Sequence, residues 1–236
     1  MLDFNTLKKF DAKNMHEIYD KWPMMAYDSY NSNLESVNFS NINHIIFSGM
    51  GGSGSIGDIF SSIMSQTSTH VSVVKGYHLP STIDENTLII TTSISGNSAE
   101  TLSVLKSAIK SKYKIIAFSS GGKIQDFCNK NKIEFRQIPM HHSPRASFPG
   151  FLYSMIKILE PIIPLKREDA IQSIKELENT QKLISSSNLN ENNPSLSLAK
   201  WITGISLVYY PWGLQSAAIR FKNSIQENSK RHIMVE

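Results

Sequence analysis

The chain contains very little cysteine, with Cys128 as the single example among 236 residues. One cysteine excludes an internal disulfide framework and a zinc site built from several cysteines, and it fits a reducing compartment. Long hydrophobic runs are also missing, because stretches such as 205–211 are much shorter than the ~18 apolar residues of a membrane span. The opening residues carry an early acid and no apolar core, which excludes a secretory signal. We therefore expect a cytoplasmic protein without a membrane segment.

A basic block of the kind that tracks nucleic acid is absent as well. The chain has 24 Lys and Arg residues against 20 Asp and Glu residues, a net charge of +4, and the basic residues are scattered. This pattern disfavours DNA or RNA as a partner and suits a small anion such as a sugar phosphate. Hydrophobic residues make up 40% of the chain and charged residues 19%, which excludes intrinsic disorder.

What the sequence does contain is a series of short apolar runs that alternate with helical patterns. The predicted strands cover residues 44–48, 71–75, 87–93, 114–119 and 134–138, and an amphipathic helix is predicted over 99–112. Continuous β-branched runs separated by helices indicate a parallel sheet covered on both faces. The predicted fold class is therefore α/β, a doubly wound parallel sheet flanked by helices, with ligands at the carboxyl ends of its strands.

The periodicity also predicts how the chain is divided. Residues 1–40 are an N-terminal helical arm, whose first helical pattern ends at Pro23. Residues 41–150 hold the α/β domain. Residues 151–236 begin with helices and then start a second α/β unit, with a polar hinge-like loop over 185–194, a strand over 205–211 and a helix from about Gln215. A lone strand cannot form an independent sheet, so we expect this second unit to be incomplete.

The glycine-rich segment Gly49-Met-Gly-Gly-Ser-Gly54 lies between a predicted strand and a helix. Its spacing fits a dinucleotide-binding loop, but no acid stands between Asp58 and Asp84 to bind a ribose, and the second strand runs into Lys75. No Lys-Ser or Lys-Thr pair follows the glycines, which excludes a Walker loop. The segment therefore predicts a site where backbone amides and a helix N-terminus bind a plain phosphate.

A second polar segment, Ser93-Ile-Ser-Gly-Asn-Ser98, ends the third predicted strand directly before a helix. Its hydroxyls and glycine suit a cluster of neutral donors for a phosphate dianion, although the segment taken alone favours a capping turn with Ser98 at the start of the helix. Both segments follow strands that end at the same edge of the sheet. The pair therefore predicts a shared phosphate site more specifically than either segment does.

These two segments together resemble a sugar-isomerase (SIS) domain, and within that superfamily the bifunctional phosphoglucose/phosphomannose isomerase family. Two further segments support the resemblance: Pro144-Arg145-Ala146 before an apolar helix, and Arg220-Phe-Lys222 with Gln226-Glu-Asn-Ser-Lys230. The four motifs occur in the order of the family and cover residues 43 to 236. The resemblance therefore implies the SIS fold, followed by a second SIS-like unit.

Several roles follow from the resemblance rather than from spacing. The implied phosphate-binding residues are Gly51, Gly52, Ser53, Ser93, Ser95 and Ser98. Glu227 is the implied catalytic base, although taken alone it reads as an exposed helix glutamate. Arg145 is the implied stabiliser of the enediolate charge, although taken alone it reads as a surface arginine after proline. The chemistry requires no metal and no cofactor, and the active sites that the family shares between subunits imply a homodimer.

The implied activity is an aldose–ketose isomerase that interconverts glucose 6-phosphate or mannose 6-phosphate with fructose 6-phosphate through an enediolate. Family members carry a further active-site histidine at a spacing that would fall beyond Glu236, and His232 is too close to Glu227 to take its place. One alternative is therefore a non-catalytic SIS module that binds a phosphosugar and regulates a partner. A third reading, a transferase subunit for an amino-sugar phosphate, lacks a visible nucleophile because Cys128 reads as a core or helix residue.

Overall fold

The computed structural model describes residues 3–110 and 113–236. The first two residues of the predicted N-terminal arm and the last two of the helix predicted over 99–112 lie outside these ranges. The arm contains three short helices: α1 (Phe4–Phe10), α2 (Met15–Asp20) and α3 (Trp22–Tyr30). The prediction that Pro23 ends a helix is wrong, because this proline lies in the first turn of α3. A proline is tolerated there since the first amides of a helix have no intrahelical acceptor.

A parallel sheet of five strands forms the centre of the fold, with the strand order β2-β1-β3-β4-β5. The strands are β1 (His44–Ser48), β2 (His70–Val74), β3 (Thr87–Ser93), β4 (Lys114–Ser119) and β5 (Glu134–Gln137). Every residue of β1 and β3 is buried, which explains the continuous apolar run of three residues within each strand. The chain turns one way from β1 to β2 and the other way from β3 onward. A ligand site is therefore expected beyond the carboxyl ends of β1 and β3.

Helices cover both faces of this sheet and make it the predicted doubly wound layer. They are α4 (Gly52–Met64), α5 (Ala99–Ala108), α6 (Gly122–Asn131), α7 (Phe148–Leu159) and α8 (Arg167–Ile184), with a short 3₁₀ turn at Glu160–Ile162 after α7. One face of the sheet packs against α3, α4, α7 and α8, where Phe47 stacks on Phe60 with ring centroids 5.0 Å apart. The other face packs against α5 and α6 through Val104, Leu105 and Ile124.

The C-terminal residues add two helices and a small second sheet. These elements are α9 (Pro194–Trp201), β6 (Ser206–Val208), α10 (Gln215–Ser229) and β7 (Ile233–Val235). β6 and β7 pair in parallel, so the prediction of a lone strand is wrong, and β6 is shorter than the predicted strand over 205–211. α10 packs on α4, which brings it beside the glycine-rich loop. The domain boundaries near residues 40 and 150 stay predictions.

Within the described ranges, none of the helices combines the length and the apolar composition that a bilayer crossing needs.

Candidate active site

A cavity of about 360 Å³ opens beyond the carboxyl ends of β1 and β3, where the strand order reverses. It brings together both predicted catalytic residues and five of the six predicted phosphate-binding residues. Its lining comprises Met50, Gly51, Gly52, Ser53, Ile94, Ser95, Ser98, Ser143, Pro144, Arg145 and Glu227. The sixth predicted residue, Ser93, lies behind the wall, where its Oγ is 3.0 Å from the Oγ of Ser98.

The first loop of the cavity folds tightly between the end of β1 and the start of α4. A Cβ atom on Gly49 would lie 2.9 Å from the carbonyl oxygen of Thr92, so only glycine lets the loop pack so closely on β3. α4 begins at Gly52, and the first amides of a helix have no intrahelical acceptor. The amides around Gly51 and Gly52 and the positive end of α4 therefore favour an anion at this point.

The second loop joins β3 to α5 and is tied to the first. The backbone N–H of Ile94 donates to Ser53 Oγ at 3.2 Å, which fixes one loop against the other. Gly96 has a positive φ of 71°, and a Cβ atom there would lie 1.8 Å from the carbonyl oxygen of Gly121. Ser98 occupies the N-cap position of α5, but its side chain makes no capping hydrogen bond. The capping interpretation of this hydroxyl is therefore wrong, because the hydroxyl pairs with Ser93 Oγ instead and lines the cavity.

Arg145 and Glu227 both line the cavity and form an ion pair there. Arg145 Nε lies 3.1 Å from Glu227 Oε2, and Arg145 Nη1 donates to Asn228 Oδ1 at 2.7 Å. Both charged side chains are partly exposed, so solvent screens this ion pair and its contribution to folding stability is small. Taken alone, each motif suggested an isolated surface side chain. The ion pair shows that neither Arg145 nor Glu227 is isolated. The pair places a carboxylate and a guanidinium within hydrogen-bond distance beside the phosphate loops.

A buried serine, Ser147, stabilises the turn that carries Arg145 by hydrogen bonds to its backbone. Ser147 is fully buried, and its Oγ accepts from the backbone N–H of His141 at 2.7 Å while lying 2.9 Å from the carbonyl oxygens of His141 and Ser143. Ser143 lines the cavity, and its Oγ is buried with no hydrogen-bond partner among residues 3–110 and 113–236. The sequence carried no signal for either serine, since both act through the fold of this turn.

Arg220 is a third charged residue at this site. It belongs to one of the motifs that carry the family resemblance, but the sequence alone predicted no role for it. Its Nη2 donates to the carbonyl oxygen of Arg145 at 3.0 Å, and its guanidinium lies 4.7 Å from the centre of the Phe148 ring. Burial lowers the pKa of the Arg220 guanidinium, and the positive charge of Arg145 acts in the same direction while Glu227 opposes it. Spacing could have indicated its position, because Arg220 and Glu227 are seven residues apart and so share a face of α10.

The site offers neutral donors, two guanidinium groups and one carboxylate. In the part of the chain that the structure describes, no group of three or more His, Cys, Asp or Glu side chains is placed to hold a metal ion. The arrangement is suited to binding a phosphate ester and to moving a proton next to a carbonyl group, where a fixed cation offsets the developing negative charge.

Comparison with protein families gives two matches along the chain. The SIS domain model matches residues 38–146, and the model for the bacterial phospho-glucose isomerase C-terminal SIS domain matches residues 191–236. The first match contains both phosphate loops and Arg145, and the second contains Arg220 and Glu227.

Curated relatives agree with these matches. The chain is 34% identical to a bifunctional phosphoglucose/phosphomannose isomerase of Aquifex aeolicus over 79% of this chain and 56% of the relative, and 32% identical to one of Thermoplasma acidophilum over 85% and 59%. A D-glucosamine-6-phosphate 4-epimerase of Sulfolobus acidocaldarius is 26% identical over 92% of this chain and 66% of the relative. The chain thus spans somewhat more than half the length of the first two.

Solved structures share the fold at low identity. The C-terminal domain of glucosamine-fructose-6-phosphate aminotransferase from Francisella tularensis superposes with a TM-score of 0.68 at 15% identity, covering 94% of this chain and 69% of that one. Tagatose-6-phosphate ketose/aldose isomerase from Escherichia coli gives a TM-score of 0.62 at 17% identity, covering 96% and 67%. At these identities the likeness establishes the architecture alone.

Proposed function

This chain belongs to the bifunctional phosphoglucose/phosphomannose isomerase family of SIS-domain proteins, and on that premise we propose that it interconverts glucose 6-phosphate or mannose 6-phosphate with fructose 6-phosphate. The observation that carries the proposal is the cavity in which Arg145 and Glu227 pair at 3.1 Å beside two phosphate-type loops. The phosphate anchors the sugar and the pair acts on its first two carbons.

The two loops hold the phosphate through neutral groups. The proposed donors are the amides of Gly51 and Gly52 and the hydroxyls of Ser53, Ser95 and Ser98, all of which line the cavity, and Ser93 contacts Ser98. The N-termini of α4 and α5 add partial positive charge there. Binding energy from the phosphate, which lies away from the reacting carbons, is then used to position the sugar.

Glu227 is the base in this proposal. Its carboxylate takes the proton from C2 of the open-chain aldose and returns it to C1, while a hydroxyl proton passes from O2 to O1. Arg145 stabilises the negative charge of the enediolate between the two steps. The 3.1 Å separation of Arg145 Nε and Glu227 Oε2 suits a substrate whose C–H and neighbouring oxygen must meet a carboxylate and a cation together. Acid–base and electrostatic groups supply these steps, so the proposal calls for no metal or cofactor.

The isomerase assay tests the base directly. With glucose 6-phosphate formation from fructose 6-phosphate coupled to its oxidation, we expect Glu227→Gln to lower kcat by about 10²- to 10⁴-fold, because in this direction the base must take a proton from C1 of the ketose and the amide cannot accept it. Glu191→Gln is the matched control, since Glu191 is exposed in the loop before α9. Turnover by the Glu227→Gln variant at the wild-type rate would remove Glu227 from the mechanism.

A second candidate function is a non-catalytic module that binds a phosphosugar. One observation favours it: the proposed phosphate loops lie wholly within residues 49–98, apart in the sequence from Arg145 and Glu227. Titration calorimetry with fructose 6-phosphate separates the two functions. Binding with no turnover supports the module, binding with turnover supports the isomerase, and the lack of binding rejects both.

We further propose a homodimer and a cytoplasmic location. The C-terminal unit exposes large apolar side chains such as Trp201, Tyr209 and Trp212, which are suited to association with a second copy. Cys128 is a free, buried thiol, and burial raises its pKa to about 11, which suits a structural residue in a reducing compartment. Light scattering of the purified chain tests the dimer, and cell fractionation tests the location.

A further inference from the structure

Arg220 lies where four elements of the proposed site meet. It extends from α10 toward the turn before α7, where its Nη2 donates to the carbonyl oxygen of Arg145 and its guanidinium packs over the ring of Phe148. Its Nη1 is also 3.9 Å from the point that a Cβ atom on Gly52 would occupy, beside the N-terminus of α4. Arg220 does not line the cavity itself. It therefore acts on the site from behind its wall.

The hydrogen bond to Arg145 connects two regions that are far apart in the sequence. Arg145 and Arg220 are separated by 75 positions, and α10 also carries Glu227. The contact thus joins the main chain of the proposed charge stabiliser to the helix that holds the proposed base. A planar guanidinium that both donates a hydrogen bond and stacks on an aromatic ring has a fixed orientation. The relative position of Arg145 and Glu227 depends on that orientation.

The charge of Arg220 is not neutralised by an ion pair. Across residues 3–110 and 113–236, no carboxylate pairs with its guanidinium, and Glu227 is already paired with Arg145. The N-terminal end of α4 adds partial positive charge beside it, and the neighbouring Arg145–Glu227 pair is neutral as a whole. A partly buried cation without an ion-pair partner is costly unless an anion is bound. The two guanidinium groups and the one carboxylate therefore leave one excess positive charge next to the proposed phosphate loops.

We propose that Arg220 is a positioning residue that fixes the main chain of Arg145 against α10 and supplies unneutralised positive charge to the phosphate end of the site. The inference rests on the proposed isomerase function and deepens it. It assigns two separable effects to one side chain: the geometry of Arg145 and Glu227 sets kcat, and the charge sets affinity for the phosphate group. If Arg220 had a merely structural role, substitutions would change kcat and phosphate affinity together.

The test compares Arg220→Met with Arg220→Lys in the 236-residue chain. The methionine variant retains packing on Phe148 but loses both the hydrogen bond and the charge, so we expect kcat to fall about 100-fold and inorganic phosphate to bind about tenfold more weakly. Lysine restores the charge without the planar fork. We expect it to bind inorganic phosphate within about threefold of the wild type, while its kcat remains as low as that of the methionine variant.

The matched control is Arg231→Met. Arg231 also donates to a backbone carbonyl, that of Ile202 at 2.8 Å, but it is exposed and lies outside the cavity. We expect this variant to keep wild-type kcat and phosphate affinity. Thermal unfolding of each variant confirms that it is folded, and if Arg220→Met fails to fold, the lysine variant still divides the two effects.

The possible outcomes separate this inference from the function on which it rests. Wild-type turnover together with an Arg220→Met variant that matches the Arg231→Met control would reject the positioning role alone. A folded lysine variant that restores both quantities, or neither, would also reject it. A wild-type chain without phosphate binding or isomerase turnover would reject the proposed function, and the positioning role with it.

Discussion

The two sheets of this protein differ in how completely helices cover them. The five-stranded sheet is packed on both faces, and the residues of β1 and β3 are all buried. The C-terminal pair β6–β7 has two short strands, and its unit exposes large side chains, with Trp201 and Trp212 each 77% accessible. The candidate site takes its proposed phosphate loops from the first region and its proposed base from the second. A rigid sheet thus positions the anchoring groups, while α10 alone positions Glu227 through its packing on α4 and the contacts of Arg220.

Core truncation gives the largest expected difference between the two regions. Phe118 is fully buried in the five-stranded sheet, so Phe118→Ala should lower the free energy of unfolding by about 3–5 kcal/mol through lost burial and a cavity. Trp212→Ala in the exposed region should change it by less than about 0.5 kcal/mol at protein concentrations low enough to dissociate a dimer, because little apolar surface is buried there within one chain. Urea unfolding measures both values. Equal losses for the two variants would show that the C-terminal face is covered in solution.

A glycine-to-alanine pair compares the loops of the two regions. Gly96 and Gly204 have similar positive φ values of 71° and 61°, but only Gly96 has a neighbouring atom where a Cβ would lie. Gly204→Ala should therefore cost about 1 kcal/mol from backbone strain alone. Gly96→Ala adds a clash with Gly121, so it should cost about 3 kcal/mol and abolish phosphate binding. Unfolding and phosphate titration measure these effects, and normal phosphate binding by Gly96→Ala would place the anion elsewhere.

A smaller effect should appear in the pH dependence of stability. Burial lowers the pKa of His44 in β1, and the nearby His70 acts in the same direction. The unfolded chain therefore takes up a proton at a higher pH than the folded chain does. A neutral, buried His44 contributes to folding stability at pH values above 6.5, the ordinary histidine pKa. This stability is lost as the pH falls toward and through the lowered pKa of His44 in the folded chain.

Urea midpoints between pH 7.5 and pH 5 check this expectation. The acid-side decrease in stability should be smaller in His44→Gln than in the wild type, and His232→Gln in the exposed C-terminal region serves as the control for removing a histidine. If the urea midpoint of His44→Gln fell with decreasing pH as steeply as that of the wild type, the buried imidazole would not be the cause of the decrease.

Sequence reasoning was most successful where burial is complete. The predicted bounds of β1, β3 and β4 match the structure, because strands buried in a parallel sheet have continuous apolar runs with polar ends. α6 was missed because its sequence is mostly polar and buries only Ile124 and Cys128. β7 was missed because three residues are too few for a periodic pattern, and its pairing with β6 depends on tertiary structure.

The candidate site divides in the same way. The two phosphate loops were predictable because glycine and serine motifs at strand ends have a local physical basis. α9 had a local signal that the polar loop before it concealed, since Asn193 caps the helix and Pro194 lies in its first turn. The importance of Arg220 was not predictable, because it rests on a contact across 75 positions and on a missing counter-charge.

The hydrogen bond between Ile94 and Ser53 has a consequence for ligand recognition. The Ser53 oxygen already accepts a hydrogen bond from the main-chain N–H of Ile94, and a hydroxyl carries only one hydrogen of its own. Ser53 lines the cavity, so this hydroxyl should donate a hydrogen bond to a ligand more readily than accept one. Oxygen atoms without protons are therefore preferred, and the loop should discriminate against the monoprotonated ester that becomes common below about pH 6.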